Sequence, residues 1–173
     1  SNAGTLEVTG GQTGAVTNSG TGTNSGTIAR LTNTSGSFTN AGTIDGRISV
    51  EGGTVSNSGT VVGRSLVSAG TTLTSTGTLA SVENDGTLII EGGTAGAVTN
   101  RATGSNAGTI ATLTNESGTF SNAGDVSGSV DVSVVWLSSV RLQLYYRDGA
   151  TQDGWAKTSD TVAPNPTTVA YTY

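Results

Sequence analysis

The chain has 173 residues, of which 33% are hydrophobic and 11% charged, with no histidine, cysteine or methionine and a net charge of -5. That composition excludes a disulfide framework, thiolate or histidine zinc sites, and any Ser-His-Asp or Cys-His nucleophile. One lysine (Lys157) and six arginines offer no broad basic surface for nucleic-acid phosphates or anionic lipid.

Gly, Thr, Ser, Asn and Val fill the space that charged and apolar residues leave. Thr and Val suit strands, and Gly, Asn and Ser suit tight turns, so the expected structure is many short strands joined by turns. The absence of methionine means that residue 1 is not a translation start, so a processed precursor or an expressed fragment is expected. Ser1-Asn2-Ala3 matches a tag-cleavage scar, yet Asn2-Ala3-Gly4-Thr5 also aligns with Asn84-Asp85-Gly86-Thr87. No apolar run is long enough to span a membrane as a helix, and no signal peptide is seen.

From the N-terminus, residues 2–50 reappear without gaps at 84–132, a shift of 82. Gly10-Gly11 falls on Gly92-Gly93, Phe38 on Phe120 and Asn40-Ala41-Gly42 on Asn122-Ala123-Gly124. A weaker period near 41 links Val8-Thr9-Gly10-Gly11, Val50-Glu51-Gly52-Gly53 and Ile90-Glu91-Gly92-Gly93. Beneath both lies a short phrase: Asn, a small residue, Gly, a hydroxyl residue, then an apolar one. Examples are Asn24-Ser25-Gly26-Thr27-Ile28 and Asn57-Ser58-Gly59-Thr60-Val61. It reads as a turn followed by a strand. Asn bonds its own backbone or takes positive φ, Gly takes the strained corner, and the apolar residue points inward.

Apolar residues recur every six or so positions, as at Phe38, Ile44, Val50, Val55 and Val61. Helical spacing is nowhere sustained. Three such sides predict coils of roughly 18–20 residues, about seven of them in residues 2–132, with the period of 41 making two coils. One coil buries about three apolar side chains worth about 1.5–3 kcal/mol each. Ordering its backbone costs about 1–2 kcal/mol per residue. A single coil therefore cannot stand alone, and stacking with aligned Asn and Thr ladders is required.

Near residue 130 the pattern changes. All six Trp and Tyr residues lie beyond it, and the Asn-x-Gly phrase stops. Val130, Val132, Val134 and Trp136 alternate, as do Val140, Leu142 and Leu144, which predicts strands with one buried face. Arg147-Asp148-Gly149 and Gln152-Asp153-Gly154 are turn signals, and Pro164-Asn165-Pro166 precedes a last strand over 167–173. The expected fold is all-β: a parallel β-helix over residues 1–132 with a small β capping or assembly module over 133–173.

The phrases Thr17-Asn18-Ser19-Gly20-Thr21, Asn24 to Ile28 and Asn57 to Val61 resemble the Asn-Ser-Gly-Thr-Ile repeats of autotransporter and haemagglutinin-like bacterial surface proteins. The resemblance covers about residues 2–132. It implies a right-handed parallel β-helix serving as an adhesin or stalk. Residues 133–173 match no such pattern, and no outer-membrane barrel segment is present in these residues.

Neither a catalytic set, a cofactor site nor a metal site is expected. Paired carboxylates are the one enzymatic option left, with Glu83 and Asp85 on one strand face and Glu51 and Glu91 at equivalent corners. Solvated turn charges explain them more simply. No Gly-Gly-x-Gly-x-Asp calcium repeat occurs, and the Gly-Gly pairs lack the Lys and helix of a phosphate loop. Asn33-Thr34-Ser35 and Asn115-Glu116-Ser117 fit the glycosylation pattern, but they are the same repeat position 82 apart.

Trp136, Tyr145, Tyr146, Trp155, Val169, Tyr171 and Tyr173 are the candidate contacts for a glycan or for assembly. The leading reading is an extracellular, cell-surface structural or adhesive scaffold without catalytic activity. Its partners would be surface glycans, proteins or copies of itself, with no nucleic acid and no membrane insertion by this segment. A self-assembling filament subunit is the second reading, joined through its open coil edge or its last strand. A glycan-reading phage fibre, trimeric in some arrangements, is the third, and a β-helix polysaccharide lyase or hydrolase comes last.

Overall fold

A computed structural model describes residues 1–133, 145–147, 155–157 and 169–171. Those residues are all-β, without a helix, and their parallel strands stack as a β-solenoid. Eight coils begin at Thr5, Thr21, Ser37, Thr54, Thr72, Thr87, Thr103 and Thr119, which pair in register from coil to coil. Each coil has a four-residue strand, such as Thr21–Asn24, and a longer one, such as Thr27–Asn33. The short strands form one eight-stranded parallel sheet and the longer ones a second sheet. In coils 3 and 8 the longer strand is split, into Thr43–Ile44 with Ile48–Val50 and Asp125–Val126 with Val130–Val132.

The longer strand turns a corner midway. In coil 2, Ala29 and Arg30 are both exposed between buried Ile28 and Leu31, which breaks the period-2 alternation of a straight strand. The cross-section is thus three-sided, and each side sends one apolar column inward. Phe38, Val55 and Leu73 belong to the first column, Ile28, Ile44 and Val61 to the second, and Leu31, Ile48 and Val82 to the third.

Coil size differs from the sequence expectation. Thr5 and Thr87, equivalent residues of the duplication, are joined by five successive rungs, through Thr21, Ser37, Thr54 and Thr72. One copy of the duplication is therefore five coils rather than four, and each coil is shorter than expected. The period of 41 is two and a half coils. Gly10-Gly11 leads from a short strand into a long one, whereas Gly52-Gly53 leads from a long strand into a short one. Both turns of a coil use the same phrase, so a half-coil shift mimics a repeat.

Two columns of inward asparagine run along these turns. One comprises Asn2, Asn18 and Asn33, then Asn84, Asn100 and Asn115 after two valines, Val50 and Val67. The other holds Asn24, Asn40 and Asn57, then Asn106 and Asn122 after Ser75 and Ile90. Seven Asn Nδ2 groups donate to the Oδ1 of the next coil's Asn at 2.6–2.7 Å. Most also donate to the carbonyl two positions on, as Asn40 does to Gly42 at 3.1 Å. Most buried amides are thereby satisfied both within their turn and between coils, while Asn33 bonds only to the coils on either side.

This assigns different work to the turn residues than the sequence suggests. Among the described residues no non-glycine residue has positive φ, and neither do the glycines of the Asn-x-Gly-Thr turns. Positive φ is confined to longer turns, as at Gly53 (φ 67). In the short turns the constraint is spacing: a Cβ on Gly59 would collide with the backbone carbonyl of Gly42 one coil below. Ala102 occupies the same turn position over Gly86, so one rung can relax the spacing.

The third apolar column has one polar interruption. Ser65 is 0% exposed between Ile48 and Val82, and its hydroxyl has no hydrogen-bond partner. Ser65→Val is expected to raise stability by about 1–2 kcal/mol, because it removes an unsatisfied hydroxyl and adds buried apolar surface. Urea midpoints of Ser65→Val and Ser65→Ala check this; a loss in both would mean that the hydroxyl is bonded.

Candidate functional site

The outward face of the short-strand sheet is plain. From coil 2 to coil 8 its strand residues are Thr or Ser, with Ile89 as the exception, and none is charged. Thr stands at seven of the eight strand starts, and β-branching suits an exposed strand position. The fold accounts for this face without a ligand.

The corner of the longer strands is different. Pairing of Leu31 with Ile48 and of Ile48 with Ser65 sets Arg30, Arg47 and Arg64 in one column on coils 2, 3 and 4. All three are exposed. Their stems rise about 4.8 Å per coil, the strand spacing. Adjacent like charges repel by about 1 kcal/mol at close range in water-like surroundings. Arg64 Nη1 lies 2.6 Å from Glu83 Oε1 on the next coil. Among the described residues, Arg30 and Arg47 form no ion pair, although Asp45 precedes Arg47 by two positions.

Glycines flank the column. A Cβ at Gly46 would lie 3.5 Å from Arg30 Cβ, and one at Gly63 would lie 2.8 Å from the Arg47 backbone nitrogen. Val62, beside Gly63, is the one large hydrophobic residue recorded as exposed among the described residues, at 56%. The corner thus combines three guanidinium groups, a side-chain-free flank and an apolar spot.

Composition hides this column. Net charge argues against a basic patch, but the three arginines recur at regular one-coil intervals. Periodicity in the charged residues, rather than their number, carries the signal.

The carboxylates singled out from sequence are dispersed. Glu83 pairs with Arg64, and Asp85 Oδ1 stands 3.7 Å from Arg101, which also meets Glu116 Oε2 at 2.6 Å. The hydrogen bond to Glu116 chiefly, aided by the charges of Glu116, Asp85 and Glu83, raises the Arg101 pKa against a smaller opposing effect of burial. Glu51 and Glu91 are exposed turn residues on opposite sides of the coil, after a long and a short strand respectively. Their expected equivalence came from the half-coil shift. Among the described residues, no group of three His, Cys, Asp or Glu side chains gathers to hold a metal.

Asn33 of the first glycosylation pattern is 0% exposed, and its amide donates to Gly52 O at 2.6 Å. Asn115 accepts from Asn100 at 2.7 Å. Both serve the ladder, in keeping with repetition as their origin.

Of the aromatic candidates, Trp136 and Tyr173 lie outside the described residues. Tyr145–Arg147 pairs antiparallel with Trp155–Lys157, setting Tyr145 opposite Lys157, Tyr146 opposite Ala156 and Arg147 opposite Trp155. Val169–Tyr171 pairs antiparallel with Val130–Val132, so Val169 and Tyr171 belong to a strand at the end of the longer-strand sheet. The pairing joins the last strand to its own chain. The structure therefore brings together the two strands of the 145–157 segment, and sets Val169 and Tyr171 at the end of the solenoid.

No protein-family model, curated protein or solved structure matches the chain.

Proposed function

We propose that this chain is a non-catalytic scaffold of an extracellular or cell-surface protein, a stack whose constant interior carries variable outer surfaces. One observation supports the reading: how the two copies of the duplication differ. Inward pairs are identical or conservative, such as Leu31 with Leu113, Ile44 with Val126 and Ile48 with Val130. Outward pairs change charge freely, as Glu7 with Ile89, Ser19 with Arg101, Arg30 with Thr112 and Arg47 with Ser129. A scaffold is free to do this, because stability lives in the columns and recognition lives on the faces. The resemblance to bacterial surface repeats points the same way.

Antibodies raised against residues 1–132 test the setting. They are expected to label intact, unpermeabilised cells of the source or to capture the chain from their medium. Labelling only after permeabilisation would overturn the surface reading. Turnover of any member of a polysaccharide panel would overturn the non-catalytic one.

A filament subunit is a second reading, favoured by the short-strand sheet. Thr5–Val8 at one end and Thr119–Asn122 at the other each have a neighbour on one side only among the described residues. Scattering mass that grows with protein concentration would support it, and a constant monomer mass would remove it.

A further inference from the structure

We propose that the Arg30–Arg47–Arg64 column binds a linear acidic polysaccharide, with its carboxylate or sulfate groups ranged along the stacking axis. The proposal deepens the scaffold reading and rests on it for the setting in which such a ligand is met, though not for its chemistry.

Three observations carry it. First, the fold does not require these arginines. The duplicate places Thr112 where the first copy has Arg30, and Ser129 where it has Arg47, while the adjoining Ala29 and Gly46 are kept as Ala111 and Gly128. A like-charge column on one copy alone is therefore surplus to the solenoid's own needs. Second, Arg30 and Arg47 are exposed and have no ion pair among the described residues, which leaves their planar donor forks open to carboxylate or sulfate oxygens. Third, the column is linear and narrow. Gly46 and Gly63 put no side chain beside it, and exposed Val62 offers an apolar contact for a sugar ring.

The surroundings favour a glycan over nucleic acid. The chain as a whole is acidic, at -5 even with the column counted, and Asp45 and Glu83 are close in sequence or space to the arginines. A duplex, with phosphates on both strands, would meet these acids, whereas a single chain of spaced charges can track three guanidinium groups.

The test uses the purified 173-residue chain, immobilised heparin, immobilised polygalacturonate and a short DNA duplex. Binding to at least one glycan at low salt is expected, weakening steeply as salt rises. The Arg30→Thr/Arg47→Ser variant imports the duplicate's own residues and leaves the Arg64–Glu83 pair intact. It should keep its urea midpoint and lose glycan binding about tenfold or more. Arg101→Ser, which removes a paired arginine elsewhere, should change binding by less than about twofold. The proposal is overturned if neither glycan binds, if the double variant binds as the parent does, if Arg101→Ser costs as much, or if DNA binds as tightly as the glycans. All of these are read on purified protein, so they are independent of where antibodies find the chain on cells.

Discussion

Asn40→Ala is expected to destabilise the solenoid by about 2–4 kcal/mol, a large loss for one side chain. Asn40 is 0% exposed and sits mid-ladder. Its Oδ1 accepts from Asn24 at 2.7 Å, and its Nδ2 donates to Asn57 Oδ1 at 2.7 Å and to Gly42 O at 3.1 Å. Truncation strands the buried Asn57 Oδ1 above, takes from Asn24 Nδ2 its shortest acceptor while leaving it the Gly26 and Thr43 carbonyls, and leaves a void where the amide was. Ladder bonds also polarise one another, so a break in the middle costs more than a break at the end. Asn122, at the exposed end of the same column, donates to Gly124 O within its own turn. Asn122→Ala should therefore cost under about 1 kcal/mol. Urea unfolding of the two variants checks the contrast; equal losses would mean that the ladder contributes nothing beyond its individual turns.

The second large effect is expected at Gly22. In the first apolar column Gly22 lies directly below Phe38, and Gly104 lies below Phe120 in the duplicate. The ring of Phe38 rests on the space that a side chain would take: a Cβ on Gly22 would come within 2.6 Å of Phe38 Cε2. Phe38 is 1% exposed, with no room to swing aside. Gly22→Val should cost about 3 kcal/mol or more through overpacking, and Phe38→Ala alone about 3–5 kcal/mol through the cavity it leaves. Combined, the two changes should cost less than their sum by at least about 1 kcal/mol, since each relieves the other's defect. Urea unfolding of the two single variants and the double variant completes the cycle. Strict additivity would contradict the stacked Gly–Phe pair.

Much of this fold is legible in the sequence, because a solenoid writes its geometry as periodicity. Phe38, Ile44, Val50, Val55 and Val61 were expected inside, and all five are buried. Coil length was harder to read. The two turns of a coil share one phrase, so Val8 to Gly11 and Val50 to Gly53 look like successive repeats although they lie on opposite sides of the coil. Ile48 is equally buried but falls outside the regular apolar spacing, because its strand begins after a break at positions 45–47.

On the sequence alone the glycine of the short turns takes a strained corner and its Asn is allowed positive φ, but neither has positive φ, and the close approach of the coil below explains the glycine instead. Local turn chemistry cannot reveal a contact made with the preceding coil, as between Gly59 and Gly42. The same holds for Arg30, Arg47 and Arg64, which become a site only when coils bring them into one column.

Coil length and register are the central claim, and paired spin labels test them most directly. The chain has no cysteine, so labels attach only where cysteines are introduced. Thr23 and Thr39 are both exposed and pair on adjacent rungs of the short-strand sheet. Labels on Thr23→Cys/Thr39→Cys should show strong dipolar broadening, as expected for backbones about 5 Å apart. Thr43 lies further along the chain, on the other sheet, and is the residue that the longer coil of the sequence expectation would set beside Thr23. Labels on Thr23→Cys/Thr43→Cys should broaden far less. Stronger broadening in the Thr23/Thr43 pair than in the Thr23/Thr39 pair would contradict the eight-coil solenoid.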